Sequence, residues 1–286
     1  MAALEILLIL ALAAFLAGLA GSFLGIGGGV FLIPFLTLAL GVDIQVAIAT
    51  SLVGVIATSS GAASVYVRDH LTNLRLGMFL EIATTLGALA GALIAVYVDS
   101  RALYVTFAVV VTYAAVYMVR TKETARDRAY RTGPEDPVST RLRLGSLYYD
   151  HEDQAVYRYR VDRPKAGFAL SALAGGLSGL LGLGGGFVKV PAMNVAMHVP
   201  MKPAVATSNF MIGVTAAASA FIYYSRGFVN PSLAAAVIVG VFTGTNLGTR
   251  LLMRARAQAI RAVFAGLLVI LGALMALRAF DVGGIP

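Results

Sequence analysis

The chain has 286 residues, 59% of them hydrophobic and only 13% charged, and its mean hydropathy is +0.84. This composition excludes a soluble domain of ordinary make-up and makes the lipid bilayer the solvent, with length for roughly eight to ten spans of about 20 residues each. The formal charge of +8 sits mostly in one loop and at segment ends, which points to topology and anionic lipid rather than nucleic acid, and the absence of cysteine excludes disulfides, thiolate metal sites and thiol relays.

The first apolar stretch, Leu4 to Leu24, follows Glu5 and is long enough to cross a hydrocarbon core of about 30 Å as a helix. The residues before it, Met1 to Glu5, lack the positive n-region of a cleaved leader, so the stretch reads as a retained helix of a mature chain. Gly25-Ile26-Gly27-Gly28-Gly29 then breaks the pattern, because four glycines in five residues remove the Cβ contacts that hold a helix. Val30 to Leu40, with Pro34, is half a span long and predicts a short or broken helix. Val42 to Val67 predicts the next span and Arg68-Asp69-His70, with Asn73 and Arg75, a loop. Leu76 to Val98 follows, carrying small-xxx-small spacing at Gly87 and Gly91, and then Arg101 to Val119.

Arg120 to Lys165 is crowded with charge and tyrosine and holds Gly133-Pro134 and Pro137, so it reads as a hydrophilic central loop. Alternation over 145–149 and 156–161 fits a small hairpin and fits a flexible linker equally, and carries no assigned chemistry. From Ala166 the pattern returns: a span to Leu181, the break Gly182-Leu183-Gly184-Gly185-Gly186, a short segment with Pro191 to Met197, and spans at Lys202 to Tyr224, Pro231 to Met253 and Ala259 to Ala279.

Sliding the sequence on itself by 157 residues without a gap superposes the glycines, the proline, the Ala-Thr-Ser strings at Ala49 and Ala206, and the pairs Tyr66 with Tyr223, Asn73 with Asn230, Gly87 with Gly244 and Gly91 with Gly248. That register predicts an all-α polytopic membrane protein of two homologous repeats, each with four full transmembrane helices plus a short broken helix after its glycine break. Residues 1–120 form the first repeat, 121–165 the cytoplasmic loop and 166–286 the second repeat. Placing the basic central loop inside puts Arg68, Arg75, Lys202, Arg250, Arg254, Arg256 and Arg261 inside, and Asp43, Asp99 with Arg101, and Arg226 outside. Equivalent loops then exchange their basic bias, as inverted repeats require; a re-entrant short helix would instead give four crossings per half and parallel repeats.

Matched broken helices suggest a secondary transporter whose substrate lies near the midplane between the breaks. The exposed N–H groups of Gly27, Gly28 and Gly29, and of Gly184, Gly185 and Gly186, open short helices whose N-termini favour an anion. Glycines in membrane helices also serve close packing alone, and the repetition of the whole element argues against that simpler reading. Thr50, Ser51, Thr207 and Ser208, with Asn209 beside the second pair, lie early in the following spans and can donate to anion oxygens without the cost of burying a full charge. Thr58, Ser59, Ser60, Ser64, Thr243, Thr245 and Asn246 read as helix contacts. Lys189 stands where the first half has Leu32, and an ammonium in a bilayer is a functional candidate that pairs with an oxyanion or snorkels to the interface. Glu81 has three readings: coupling-proton carrier, partner of Lys189, or interfacial residue. His70 and His198 sit at segment ends as surface residues. Metal-ligand spacing and a nucleophile-base pair are missing, so neither a metal, a cofactor nor an enzyme activity is expected.

The duplicated G-x-G-G-G-x-x-x-x-P element, Ala49-Thr50-Ser51 with Ala206-Thr207-Ser208, and the hydrophilic middle loop resemble the TauE/SafE-type sulfite exporter family. The resemblance covers both halves and implies passage of sulfite or organosulfonates across the cytoplasmic (inner) membrane, coupled to protons or another ion. An anion channel using the same polar residues, and a membrane-embedded enzyme, are the competing classes.

Overall fold

The computed structural model describes residues 3–120, 136–150, 154–254 and 257–280, with side chains at 5–117, 136–150, 154–250 and 266–280. The Gly133-Pro134 turn and the side chains of Arg254, Arg256 and Arg261 lie outside those residues. Helix α1 (Ala3–Leu24) leads through the first break into α2 (Gly29–Pro34), which widens into a π-turn over Phe35–Ala39. Then come α3 (Ile44–Arg68), α4 (Leu74–Ala95) and α5 (Ser100–Arg120). The second half carries α7 (Pro164–Leu181), α8 (Gly186–Pro191) with its π-turn Ala192–Ala196, α9 (Met201–Ser225), α10 (Pro231–Arg254) and α11 (Ala257–Ala279). Between them lie a short α6 (Pro137–Leu142) and an antiparallel hairpin, β1 (Ser146–Asp150) with β2 (Ala155–Tyr159). Among the described residues six helices (α1, α3, α4, α5, α9 and α10) are long and apolar enough to cross a membrane, so the chain is a multi-pass helical membrane protein.

Local chemistry sets these limits. Asp43 caps α3 by accepting from the Gln45 N–H at 2.8 Å, and Asn73 caps α4 by accepting from the Leu76 N–H at 3.0 Å. Asn230 does the same for α10, from Ser232 and Leu233. Pro34 and Pro191 each remove an N–H from a short helix, and the wider π-turn that follows absorbs the missing bond.

The packing is crossed between the halves: α1 lies against α10, α4 against α7, α5 against α11, and α3 against α9 at the centre. The starts of α2, α3, α4 and α5 recur 157 residues on as those of α8, α9, α10 and α11. The glycine pairs explain the close crossings. A Cβ on Gly87 or Gly91 would collide with the carbonyls of Ala172 or Gly176 on α7, and one on Gly244 or Gly248 with those of Phe15 or Leu19 on α1. Small residues let backbones approach this closely where lipid supplies no hydrophobic drive. α3 and α9 are the most enclosed spans, 67% and 61% buried against 39–44% for the other four, so they carry the polar core.

The hairpin module docks on one end of this bundle. Tyr148, Tyr159, Leu144 and Val161 are buried beneath it, and Lys202 Nζ meets the buried Asp150 carboxylate at 2.7 Å. The Asp162 N–H donates to Met197 O, and His198 Nδ1 lies 3.0 Å from Asp162 Oδ2. Of the two readings left open for 145–161, the structure takes the hairpin.

Candidate anion site at the helix breaks

The two glycine breaks meet at the centre of the bundle. Gly25, Gly27, Gly182, Gly184 and Gly185 have left-handed backbone, which only glycine adopts freely, while Gly28 is right-handed with φ −71°. Each break seats its backbone directly on the other: a Cβ on Gly29 would strike Gly182 O and Ser51 Oγ, and one on Gly186 would strike Gly25 O. The glycines are therefore required by contact as well as by conformation.

The predicted hydroxyls close this arrangement in a crossed pattern. Ser51 Oγ on α3 donates to Gly182 O at 3.1 Å, and Ser208 Oγ on α9 donates to Gly25 O at 2.8 Å. Each half's serine thus holds the other half's break. Two buried tyrosines repeat the motif within their own halves, Tyr66 donating to Ser22 O and Tyr223 to Gly179 O. Asn209 Nδ2 donates to Ser22 O at 3.0 Å, and Ser59 Oγ bonds Asn209 O. Thr207 Oγ1 accepts from the Asn73 N–H at 3.0 Å, whereas Thr50 Oγ1 and Asn209 Oδ1 are buried without a hydrogen-bond partner. Such orphans cost about 1–3 kcal/mol each and call for an explanation. Ser178 Oγ, beside Gly185, is a third. A cavity of about 30 Å³, the share of one water, lies against the second break among Phe23, Ile26, Phe187 and Val205.

The charged residues come together. Lys189 is fully buried on α8, so its stem turns inward, and its Nζ donates to Thr215 Oγ1 at 2.7 Å. Thr215 Oγ1 donates to Glu81 Oε1 at 2.7 Å, and Glu81 Oε2 lies 4.0 Å from Lys189 Nζ. Thr84 and Thr85, three and four residues along α4, donate to the two carboxylate oxygens at 2.8 and 3.0 Å. The geometry places Glu81 beside Lys189. The carboxylate is saturated by three hydroxyls, whereas the ammonium has one. The repeat-related positions are Leu32 and Thr58 in the first half and Ile238 in the second, so they hold no charge.

Sequence reasoning missed Thr84, Thr85, Thr215 and Asn73. Glu81-x-x-Thr84-Thr85 is helical i, i+3, i+4 spacing and was readable; Thr215 had only its match to Thr58. Of the polar residues read as helix contacts, Ser59 and Thr245 bond across helices, whereas Thr58, Ser64, Thr243 and Asn246 bond the preceding turn of their own helix.

Apolar helices enclosing buried glycine breaks and one charge cluster define a multi-pass membrane transporter, and comparison with known proteins agrees. The chain belongs to the sulfite exporter TauE/SafE family, whose model matches residues 10–275. It is 27% identical over 272 residues to the probable membrane transporter protein YunE of Bacillus subtilis, covering 92% of this chain and 95% of that one. A probable membrane transporter protein of Xylella fastidiosa is 28% identical over 258 residues (89% and 88%), and one of Methanocaldococcus jannaschii 24% over 286 (94% and 95%). No solved structure matches the chain.

Proposed function

We propose that the protein is a secondary transporter of small sulfur-containing anions such as sulfite or an organosulfonate, working as an exporter in the cytoplasmic (inner) membrane. The two halves, 1–120 and 166–286, are inverted repeats of four full spans and one short broken helix, joined by a cytoplasmic segment, 121–165. The anion binds near the midplane between the breaks, at the N–H groups of Gly27 to Gly29 and Gly184 to Gly186 with the hydroxyls of Thr50 and Thr207, while Ser51, Ser208 and Asn209 hold the backbone around it. The observation that carries this reading is Lys189: a fully buried ammonium at the second break, with one hydroxyl contact and its carboxylate partner at 4.0 Å. A buried ammonium with a single direct hydrogen bond is under-coordinated in a membrane, and an oxyanion arriving at the break supplies acceptors for its remaining N–H groups. The orphaned Thr50 hydroxyl supports the same reading, since it has a donor to give.

Glu81 then competes with the substrate for Lys189. Glu81, which shares Lys189 with the arriving anion, is the candidate for coupling transport to a proton or another ion. The test is counterflow in proteoliposomes with labelled sulfite, sulfate, thiosulfate and a small sulfonate. Accumulation of one of these above equilibrium is expected, as is at least a tenfold loss of apparent affinity in the double variant Thr207→Ala/Ser208→Ala with assembly intact. Purely downhill flux would make the protein a channel. Unchanged affinity would remove the hydroxyls from the site.

A further inference from the structure

The end of the bundle that carries the hairpin module holds a second feature. An open cleft of about 840 Å³ lies between the α3–α4 turn and the module, lined by His70, Thr72, Thr140, Arg143, Ser146 and Arg158 among others. None of its lining residues is acidic. Arg143 and Arg158 are both exposed, and among the described residues neither guanidinium makes an ion pair or hydrogen bond. Two guanidiniums left facing one cleft without a counter-ion repel each other, and an oxyanion relieves that repulsion while meeting their forked donors. Thr72 Oγ1 lines the same cleft and is buried without a partner. Two lining residues, His70 and Arg143, have left-handed backbone (φ 56° and 51°), a conformation that side chains rarely take and that clusters where ligands are held.

The cleft connects to the breaks through one residue. Asn73, next to Thr72, uses all of its polar groups: its N–H donates to Thr207 Oγ1, its Oδ1 caps α4, and its Nδ2 donates to Leu144 O at 2.7 Å and Tyr159 Oη at 3.1 Å. One end of this chain is a wall of the cleft and the other is Thr207, the residue before the Ser208 that holds the first break. The equivalent Asn230 caps its helix and is exposed. The basic cleft therefore serves one face of the protein only.

We propose that this cleft captures small oxyanions, held by Arg143, Arg158 and Thr72, and feeds them past Asn73 toward Thr207; this rests on the transport reading above for the class of anion. A cleft lined by one sign of charge raises the local concentration of its counter-ion, and that gain falls as salt screens it. The natural absence of cysteine makes the test direct. Leu147, exposed in the cleft wall, is replaced by Leu147→Cys and its labelling by a membrane-impermeant maleimide is followed with added sulfate or ethanesulfonate, using chloride at equal ionic strength as control. Sulfite is left out because it attacks maleimides. The expected result is labelling slowed several-fold by the oxyanions and not by chloride, with at least ten times more anion needed in Arg143→Gln/Arg158→Gln. Labelling that ignores the oxyanions, or equal protection in the double variant, overturns the capture site. Counterflow is measured on the same preparations to keep the two ideas apart. Transport without protection removes the cleft and keeps the carrier. Protection without transport keeps the cleft as an oxyanion site and removes the carrier.

Discussion

Lys189 and Glu81 are each too costly to bury alone, and the structure shows them sharing one hydroxyl bridge. The repeat-related positions are both apolar, Leu32 in the first half and Ile238 in the second. Replacing one member, as in Lys189→Leu or Glu81→Ile, strands the other charge and is expected to cost about 3–5 kcal/mol. Replacing both together strands neither charge, so the double variant should recover much of the native stability in detergent denaturation while losing anion flux. A double variant as unstable as the singles would mean that the cluster holds the fold and serves nothing else. Lys189 was legible in the sequence because a lysine among apolar residues has few explanations. Its bridge was not, because a threonine on a membrane span looks the same whether it bonds its own helix, as Thr58 does, or a distant carboxylate, as Thr215 does.

Among the elements, the helices were legible nearly to the residue because the apolar runs, the glycine breaks and the prolines all mark the same boundaries. The errors have local causes. α4 starts at Leu74 rather than Leu76 because Asn73 caps it, and it stops at Ala95 rather than Val98. The hairpin stayed ambiguous because its alternation puts tyrosine on both faces, and what fixes it is docking that no local pattern encodes. Tyr159 is the buried contact of that docking. Burial pushes its phenol up to about 12, against an opposing pull from its hydrogen bonds to Asn73 and Ser146. A tyrosine raised above its unfolded value of about 10 stabilises the docked state fully below pH ~10 and loses that contribution as pH climbs toward 12, roughly 2–3 kcal/mol in all. Proteolysis of the 154–163 segment should therefore be independent of this group through neutral pH and accelerate above pH ~10. In Tyr159→Phe the same acceleration should be missing; if it persists, another group governs docking.

At the scale of the whole molecule, the crossed packing of α1 on α10 and α4 on α7 shows that neither half buries its own glycine stripes. Each half is completed by the other, down to Ser51 and Ser208 holding opposite breaks. The sequence carried the repetition openly but not this exchange, since a register of identities gives equivalence without giving contact. The direction of insertion is the step that remains physical rather than geometric. Arg68 and Arg75, which flank the α3–α4 turn, should stay inside, which in an inverted pair sends the matching α9–α10 turn outside. Arg68 and Ser225 are equivalent positions at the C-terminal ends of α3 and α9, and both are exposed. In the cysteine-free chain, Arg68→Cys should react with an impermeant maleimide only after the cytoplasmic face is opened, and Ser225→Cys should react in intact cells. Reaction of both from one face would make the repeats parallel and the short helices re-entrant. The two N–H ends would then enter the bilayer from the same side, and the anion would no longer lie between breaks that open toward opposite faces.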